Sequence, residues 1–184
     1  MSFADLTLRT GRLDLRPLVD ADADAFFALR SDPVVQRYGS GVWTDLQQAH
    51  TRIADNQRDM AAGQLVELAI VRREDASLLG TCTLFHHDAA CRRAEIGYAL
   101  MVPAWGRGYA SEAATALLDW GFAHMGLNRV EADIDPRNAG SARVLERLGF
   151  ALEGRLRERW IVAGEKSDSA IYGLLAAEWR AARR

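Results

Sequence analysis

The sequence predicts one α/β domain built on a mixed, mostly antiparallel sheet. Three observations predict it. Gln64 to Arg72 and Leu78 to His86 read as strands joined by the polar turn Arg73 to Ser77, an antiparallel hairpin that a third strand from Ala94 continues. Ala94 to Ile134 then reads strand, helix, strand, a right-handed unit whose two strands must run parallel. Only one such unit is present, which argues against a doubly wound sheet. With 184 residues, 49% of them apolar and 26% charged, the chain can bury a sizeable core as a single domain over residues 1–184.

The elements follow in order. Leu6 to Leu18 alternates Leu13, Leu15 and Leu18 with Arg12, Asp14 and Arg16, the pattern of one half-buried strand. Asp20 or Asp22 can cap the helix after it, in which Ala23, Phe26, Phe27 and Arg30 share helical spacing and place the aromatic pair in the core. Ser31 to Asp45 is broken by Pro33, Gly39 and Gly41 and carries Tyr38 and Trp43, an aromatic loop able to wall a pocket or to act as a plain hydrophobic lid. Thr44 and Gln47 have capping-box spacing, and Leu46, Ala49, Ile53 and Met60 give the second helix one apolar face before Gly63 ends it.

Ala94 to Val102 sets Ile96, Tyr98, Leu100 and Val102 at period two, with Gly97 and Ala99 between them, and Pro103 ends the strand because it has no N–H to give. Gly106 and Gly108 let backbone approach a ligand, while the helix from Tyr109 points unpaired N–H groups and its positive dipole end into the turn. Arg107 adds a full charge, so a phosphate or pyrophosphate is the natural guest. The same residues also admit a plain tight connection. A dinucleotide fingerprint, with Glu131, Asp133 or Asp135 on a ribose, is a third reading, but Ser111 stands where its third glycine belongs. The helix to Met125 carries Ala110, Ala113, Ala114, Leu117, Leu118 and Phe122, a face that can lie close on the sheet, and Gly126 stops it. Arg129 to Ile134 is the next strand. Asn138 can cap a short helix from Ala139 to Leu148, ended by Gly149, and a second hairpin of Gly154 to Val162 with Asp168 to Leu175 precedes a helical stub.

Composition narrows the function. A formal charge of −2 and a pI near 6.1, with dispersed Lys and Arg, give no field for a polynucleotide. Nothing reads as a signal peptide, lipid anchor or membrane span, and the two cysteines, Cys82 and Cys91, form no C-x-x-C pair, so a cytoplasmic protein without a disulfide framework is expected. His86, His87 and Cys91 lack a fourth ligand, so no metal is expected.

Trp105-Gly106-Arg107-Gly108-Tyr109-Ala110 resembles the acyl-CoA pyrophosphate loop of the GNAT superfamily of N-acetyltransferases, Q/R-x-x-G-x-G/A, with Gly108 and Ala110 on the pattern and Trp105 at its first position. Asn138-Ala139-Gly140-Ser141 with Leu148-Gly149-Phe150 behind it is similar to the N-x-x-S…LGF signature of one branch, the ribosomal-protein N-terminal (RimJ/RimL-like) acetyltransferases. The likeness covers nearly the whole chain and is strongest from Ala94 to Phe150.

It implies a GNAT fold with helices on both faces of the sheet, acetyl-CoA as cofactor, and a possible homodimer. It further implies that the parallel strands splay at a bulge, with the pantetheine arm paired to backbone at Leu100, Met101 and Val102. The pyrophosphate would lie on Trp105 to Ala110, Asn138 on the arm, and Ser141 beside the thioester sulfur. Glu95 is the candidate base, acting through water, and Ser141 the candidate proton donor to the thiolate; an exposed carboxylate beside Arg92 or Arg93, and a plain N-cap, are the alternatives for Glu95 and Asn138. The acceptor is a primary amine. At pH 7 an α-amine is roughly one-tenth neutral but a lysine amine only about one part in two thousand, which favours a protein or peptide N-terminus, possibly of a ribosomal protein, for a site with one water-linked carboxylate. A small-molecule amine acceptor (amino acid, polyamine or antibiotic) and a non-catalytic acyl-CoA sensor are the competing functions.

Overall fold

The computed structural model describes residues 2–162 and 164–183. One sheet holds β1 (Leu8–Arg9), β2 (Leu13–Pro17), β3 (Val66–Arg72), β4 (Leu78–Asp88), β5 (Arg93–Leu100), β6 (Arg129–Ile134), β7 (Ala151–Val162) and β8 (Glu165–Leu175). Their order across the sheet is β1-β2-β3-β4-β5-β6-β8-β7, antiparallel throughout except for β5 beside β6. The helices are α1 (Ala23–Ser31), α2 (Gln47–Ala61), α3 (Tyr109–His124), α4 (Ala139–Arg147) and α5 (Ala176–Ala181). No helix among the described residues is long and apolar enough to cross a membrane.

Period-two patterning gives each sheet face its own core. On one face Leu13, Leu15, Leu68, Ile70, Cys82, Leu84 and Ile96 meet Ala113, Ala114, Leu117, Leu118 and Phe122 of α3. On the other, Ala69 and Val71 meet Phe26 and Leu29 of α1 and Ala49 and Ile53 of α2. The small-residue face of α3 lies close on the sheet, as the sequence predicts. The α1–α2 layer covers β2 to β4, and the cleft opens at its edge.

Local chemistry corrects several expectations. The first strand is two: Thr10 to Arg12 turn the chain, and β1 pairs back on β2. Asp22 precedes α1 but makes no cap bond to it, because its carboxylate takes both Nη groups of Arg16 (2.7 and 2.8 Å) and the Val19 N–H (2.9 Å). Only Phe26 of the aromatic pair is fully buried. The α2 entry uses Gln48 in place of the expected Gln47, its Oε1 accepting from the Thr44 and Asp45 N–H groups, and Leu46 stays exposed at the N-cap. β3 and β4 form the expected hairpin, with β4 extended to Asp88.

The sheet depends on one close approach. A Cβ placed on Gly80 would lie 2.0 Å from the Ala99 carbonyl oxygen and 2.8 Å from the Leu100 Cα, so only glycine lets β4 sit against the end of β5. Gly80→Ala is expected to force that end outward and to destabilise the fold by about 1–3 kcal/mol, read as a lower urea midpoint with unchanged slope.

Candidate active site

The parallel pair is short. β5 and β6 align only at Arg93 with Arg129, Ala94 with Val130 and Glu95 with Glu131, and beyond Glu95 they part while β6 stays paired with β8. The closed end of this fork is pinned by charge: Glu131 takes Arg93 Nη1 (2.5 Å) and Arg129 Nε (2.7 Å), and Arg129 continues to Glu153. Burial pushes the Glu131 carboxyl up, but these hydrogen bonds outweigh it and hold the group below its ordinary value. Glu131 therefore has its partners within the fork, which removes it from the ribose role of the dinucleotide reading. The bulge expected where the parallel strands splay is not on β5, which stays in register with β4 from Glu95 to Leu100; the irregularity lies on β4, where His86 and His87 are extra residues opposite Ala94 and His86 has a φ of +50°.

Met101 N–H donates to Leu79 O (2.8 Å), so by ladder alternation the backbone groups of Ile96, Tyr98 and Leu100 face the fork. The Trp105 indole N–H takes the Leu100 carbonyl (2.7 Å). At the fork's throat Tyr98 Oη lies 3.0 Å from Ser141 Oγ and donates within reach of the Ser141 carbonyl (3.2 Å). Burial pushes the Tyr98 phenol up, against the Ser141 hydrogen bond, so it keeps its proton. Tyr98 reads in the sequence only as an apolar strand residue; nothing local announces its partner 43 residues on.

After a short turn at Val102–Ala104, Gly106 (φ +72°) and Gly108 (φ +81°) both sit in the left-handed region, which explains two glycines so close together. The first bond inside α3 is Glu112 N–H to Gly108 O (3.0 Å), so the N–H groups of Tyr109, Ala110 and Ser111 have no helical acceptor. This turn is strapped to the turn between β1 and β2 by contacts about 100 residues away in sequence. Glu112 accepts from Thr10 Oγ1 (2.5 Å), Arg12 N–H (2.9 Å) and Arg12 Nε (2.7 Å), and Arg12 Nη1 donates to the Arg107 carbonyl (3.0 Å). The Arg12 guanidinium also lies 4.5 Å from the Tyr109 ring centre. Asn138 does cap α4, its Oδ1 accepting from Ser141 N–H (3.1 Å).

A cleft of about 960 Å³ joins these parts. Leu100, Trp105, Gly106, Gly108, Tyr109, Ala110, Asn138 and Ser141 of the predicted site line it. Met101, Val102, Arg107 and Glu95 do not: Met101 packs toward the α1–α2 core, Val102 and Arg107 are exposed, and Glu95 bonds His86 Nδ1 (3.0 Å), a residue that does line the cleft. The opposite wall comes from Phe26, Arg30, Gln36 and Tyr38 beside Arg52 of α2 and Glu67 of β3. Trp43 stands behind that wall, edge-on to Phe26 at 5.2 Å between ring centres. Glu67 is 6% exposed and its Oε2 takes Arg52 Nη2 (3.0 Å); a lone acid in an apolar strand is its one signal in the sequence.

Residues 12–151 match the acetyltransferase (GNAT) domain. The chain belongs to the GNAT acetyltransferase family. An uncharacterized N-acetyltransferase, p20, of Bacillus licheniformis is 38% identical over 174 residues, 94% of this chain and 98% of that protein. Spermidine N(1)-acetyltransferase of Escherichia coli strain K12 is 26% identical over 151 residues, 82% and 79% of the two chains. The crystal structure of an acetyltransferase (GNAT family) from Bacillus anthracis superposes with a TM-score of 0.84 at 27% identity, covering 94% of this chain and 100% of that one.

The protein is thus an N-acetyltransferase that uses acetyl-CoA, and its site fits that cofactor. The fork offers strand edges to an extended arm, and the left-handed glycine turn offers unpaired N–H groups at a helix N-terminus to phosphates.

The Glu112 strap yields a pH prediction. Burial raises the Glu112 carboxyl, and the bonds from Thr10 and Arg12 more than reverse this, leaving it below its ordinary value. A depressed folded value stabilises the protein above the unfolded carboxylate range, about pH 4.3, and that contribution disappears as pH falls through the folded value. Wild type should exceed Glu112→Gln in urea stability at pH 7, with the gap closing below about pH 4. A gap independent of pH would show that the charge of Glu112 plays no part.

Proposed function

We propose that this enzyme transfers acetyl to the α-amine of a protein or peptide N-terminus, a ribosomal protein being one such acceptor, and that it belongs with the ribosomal-protein N-terminal acetyltransferase branch. The observation that carries the reading is the throat of the fork, where Tyr98 and Ser141 hydroxyls pair at 3.0 Å beside a cleft that continues to the α1 and α2 wall. The residues that would hold the cofactor are the backbone of Tyr98 and Leu100, the turn from Trp105 to Ala110, and the side-chain amide of Asn138.

Acetyl-CoA, when bound, supplies the acetyl group activated as a thioester. The chain's own residues manage protons. Glu95, where β5 leaves β6, takes a proton from the acceptor amine through water held near His86. Ser141 Oγ gives a proton to the departing sulfur, and Tyr98 Oη, which burial keeps protonated, donates to Ser141 in turn. Glu67 is the competing base, although Arg52 already occupies one of its oxygens.

A second reading has one observation in its favour: the spermidine N(1)-acetyltransferase relative makes a polyamine a natural alternative acceptor. Against it, Arg30 of the cleft wall makes no ion pair among the described residues, whereas Arg52 and Glu67 pair with each other, and an unmatched like charge facing a polycation opposes binding.

Thiol release from acetyl-CoA should be seen with a subset of short peptides bearing free α-amines; release confined to spermidine or other small amines would contradict the acceptor assignment. Glu95→Gln should lower kcat by about 10²–10⁴ with unchanged coenzyme A affinity by calorimetry. If kcat survives in Glu95→Gln and falls in Glu67→Gln, the base is Glu67. Ser141→Ala should likewise lower kcat more than it raises KM.

A further inference from the structure

We propose that Arg30 is the receptor for a carboxylate carried by the acceptor near its amine, so that the enzyme selects acidic acceptors: peptide N-termini with Asp or Glu in the first residues. This rests on the acceptor reading above and names its class.

Arg30 lies in the cleft wall and is held in place before any acceptor arrives. Its Nη2 donates to Ser40 Oγ (2.9 Å), and its guanidinium carbon lies 5.2 Å from the centre of the Trp43 ring, which also packs edge-on with Phe26. Its Nε is buried and has no partner among the described residues. A buried donor without a partner weakens the fold unless a ligand supplies an acceptor. Burial also holds the Arg30 guanidinium below its ordinary value, with Glu67 opposing and Arg52 adding to that effect.

The charges around it do not cancel. Glu67, the wall acid that Arg30 senses, is bonded by Arg52 (3.0 Å), and Asp59, the other acid of the wall, is bonded by Arg58 (3.2 Å). Arg30 forms no ion pair among the described residues, so the wall presents one guanidinium whose charge is not matched at short range. The fork geometry of a guanidinium favours a carboxylate over a carbonyl or a hydroxyl. Beside it, Gln36 is 5% exposed and holds its Nε2 on the Leu29 carbonyl (3.3 Å), while its Oε1 is buried without a partner among the described residues. A guanidinium without an ion pair beside this fixed amide, on one wall of the cleft, suits a segment of peptide that brings a carboxylate.

The test compares Ala-Asp-, Ala-Asn- and Ala-Lys-initiated peptides, free aspartate and spermidine as acceptors, with wild type, Arg30→Gln and Arg30→Glu. Thiol release gives kcat/KM, and calorimetry on the coenzyme A complex gives peptide affinity as well as confirming that each variant folds and binds coenzyme A. The proposal expects wild type to prefer the Asp peptide over the Asn peptide by at least about tenfold, chiefly in KM and affinity. That ratio should fall to near one in Arg30→Gln, and Arg30→Glu should prefer the Lys peptide. Equal use of the three peptides by all three proteins would overturn the carboxylate site and leave N-terminal acetylation standing. Release with aspartate alone, abolished in Arg30→Gln, would keep the site and overturn the peptide reading. Preference for spermidine over every acidic acceptor would overturn the site.

Discussion

The constraint on which the rest depends is the early end of the parallel pair. Backbone groups inside a protein need partners, and a strand that loses its neighbour in mid-sheet leaves a row of them bare. Here β5 loses β6 after Glu95, while β4 holds its other edge as far as Met101. An extended chain of another molecule can supply what β6 withholds. The acidic and basic side chains at the closed end, Arg93, Glu131, Arg129 and Glu153, fix where the parting begins; Gly80 fixes how closely the remaining strand is held.

Everything else positions chemistry around that opening. The Arg12–Glu112 strap ties the glycine turn to the first hairpin, so the unpaired N–H groups of α3 stand at a set distance from the fork. Glu112 sits in the first turn of α3, beside unpaired N–H groups; directing its carboxylate onto Thr10 and Arg12 ties that charge to the first hairpin. On the opposite side α1 and α2 place two guanidinium groups, and β3 a buried carboxylate, along the same cleft. The fork with its glycine turn and the α1–α2 wall thus meet at the paired hydroxyls of Tyr98 and Ser141.

What the sequence disclosed was local. Period-two runs, the glycines at 106, 108 and 126, and the Asn138 cap have their causes within a few residues, and the observed β5, α3 and α4 follow them. The short split at the first strand was hidden because Gly11 interrupts a continuous alternation without an apolar mismatch. The Asp22 and Gln48 contacts escaped because each acid or amide had two acceptable partners in range, and tertiary packing chose between them. Long-range pairs were invisible for a plainer reason: Thr10 and Arg12 with Glu112, Tyr98 with Ser141, and Arg52 with Glu67 are joined by topology and carry no spacing signature. Arg30 was legible as a helical residue, but its burial against Trp43 depends on how the Ser31 to Asp45 loop folds back.

The central claim is that the fork and the glycine turn together receive acetyl-CoA. Amide hydrogen exchange, followed residue by residue by NMR with and without acetyl-CoA, addresses it at the atoms concerned. The account predicts new protection at the N–H groups of Tyr98 and Leu100 and of Tyr109, Ala110 and Ser111, with β1 to β3 unchanged. Saturating cofactor that leaves those five amides exchanging as before, or that protects a different surface, would contradict it.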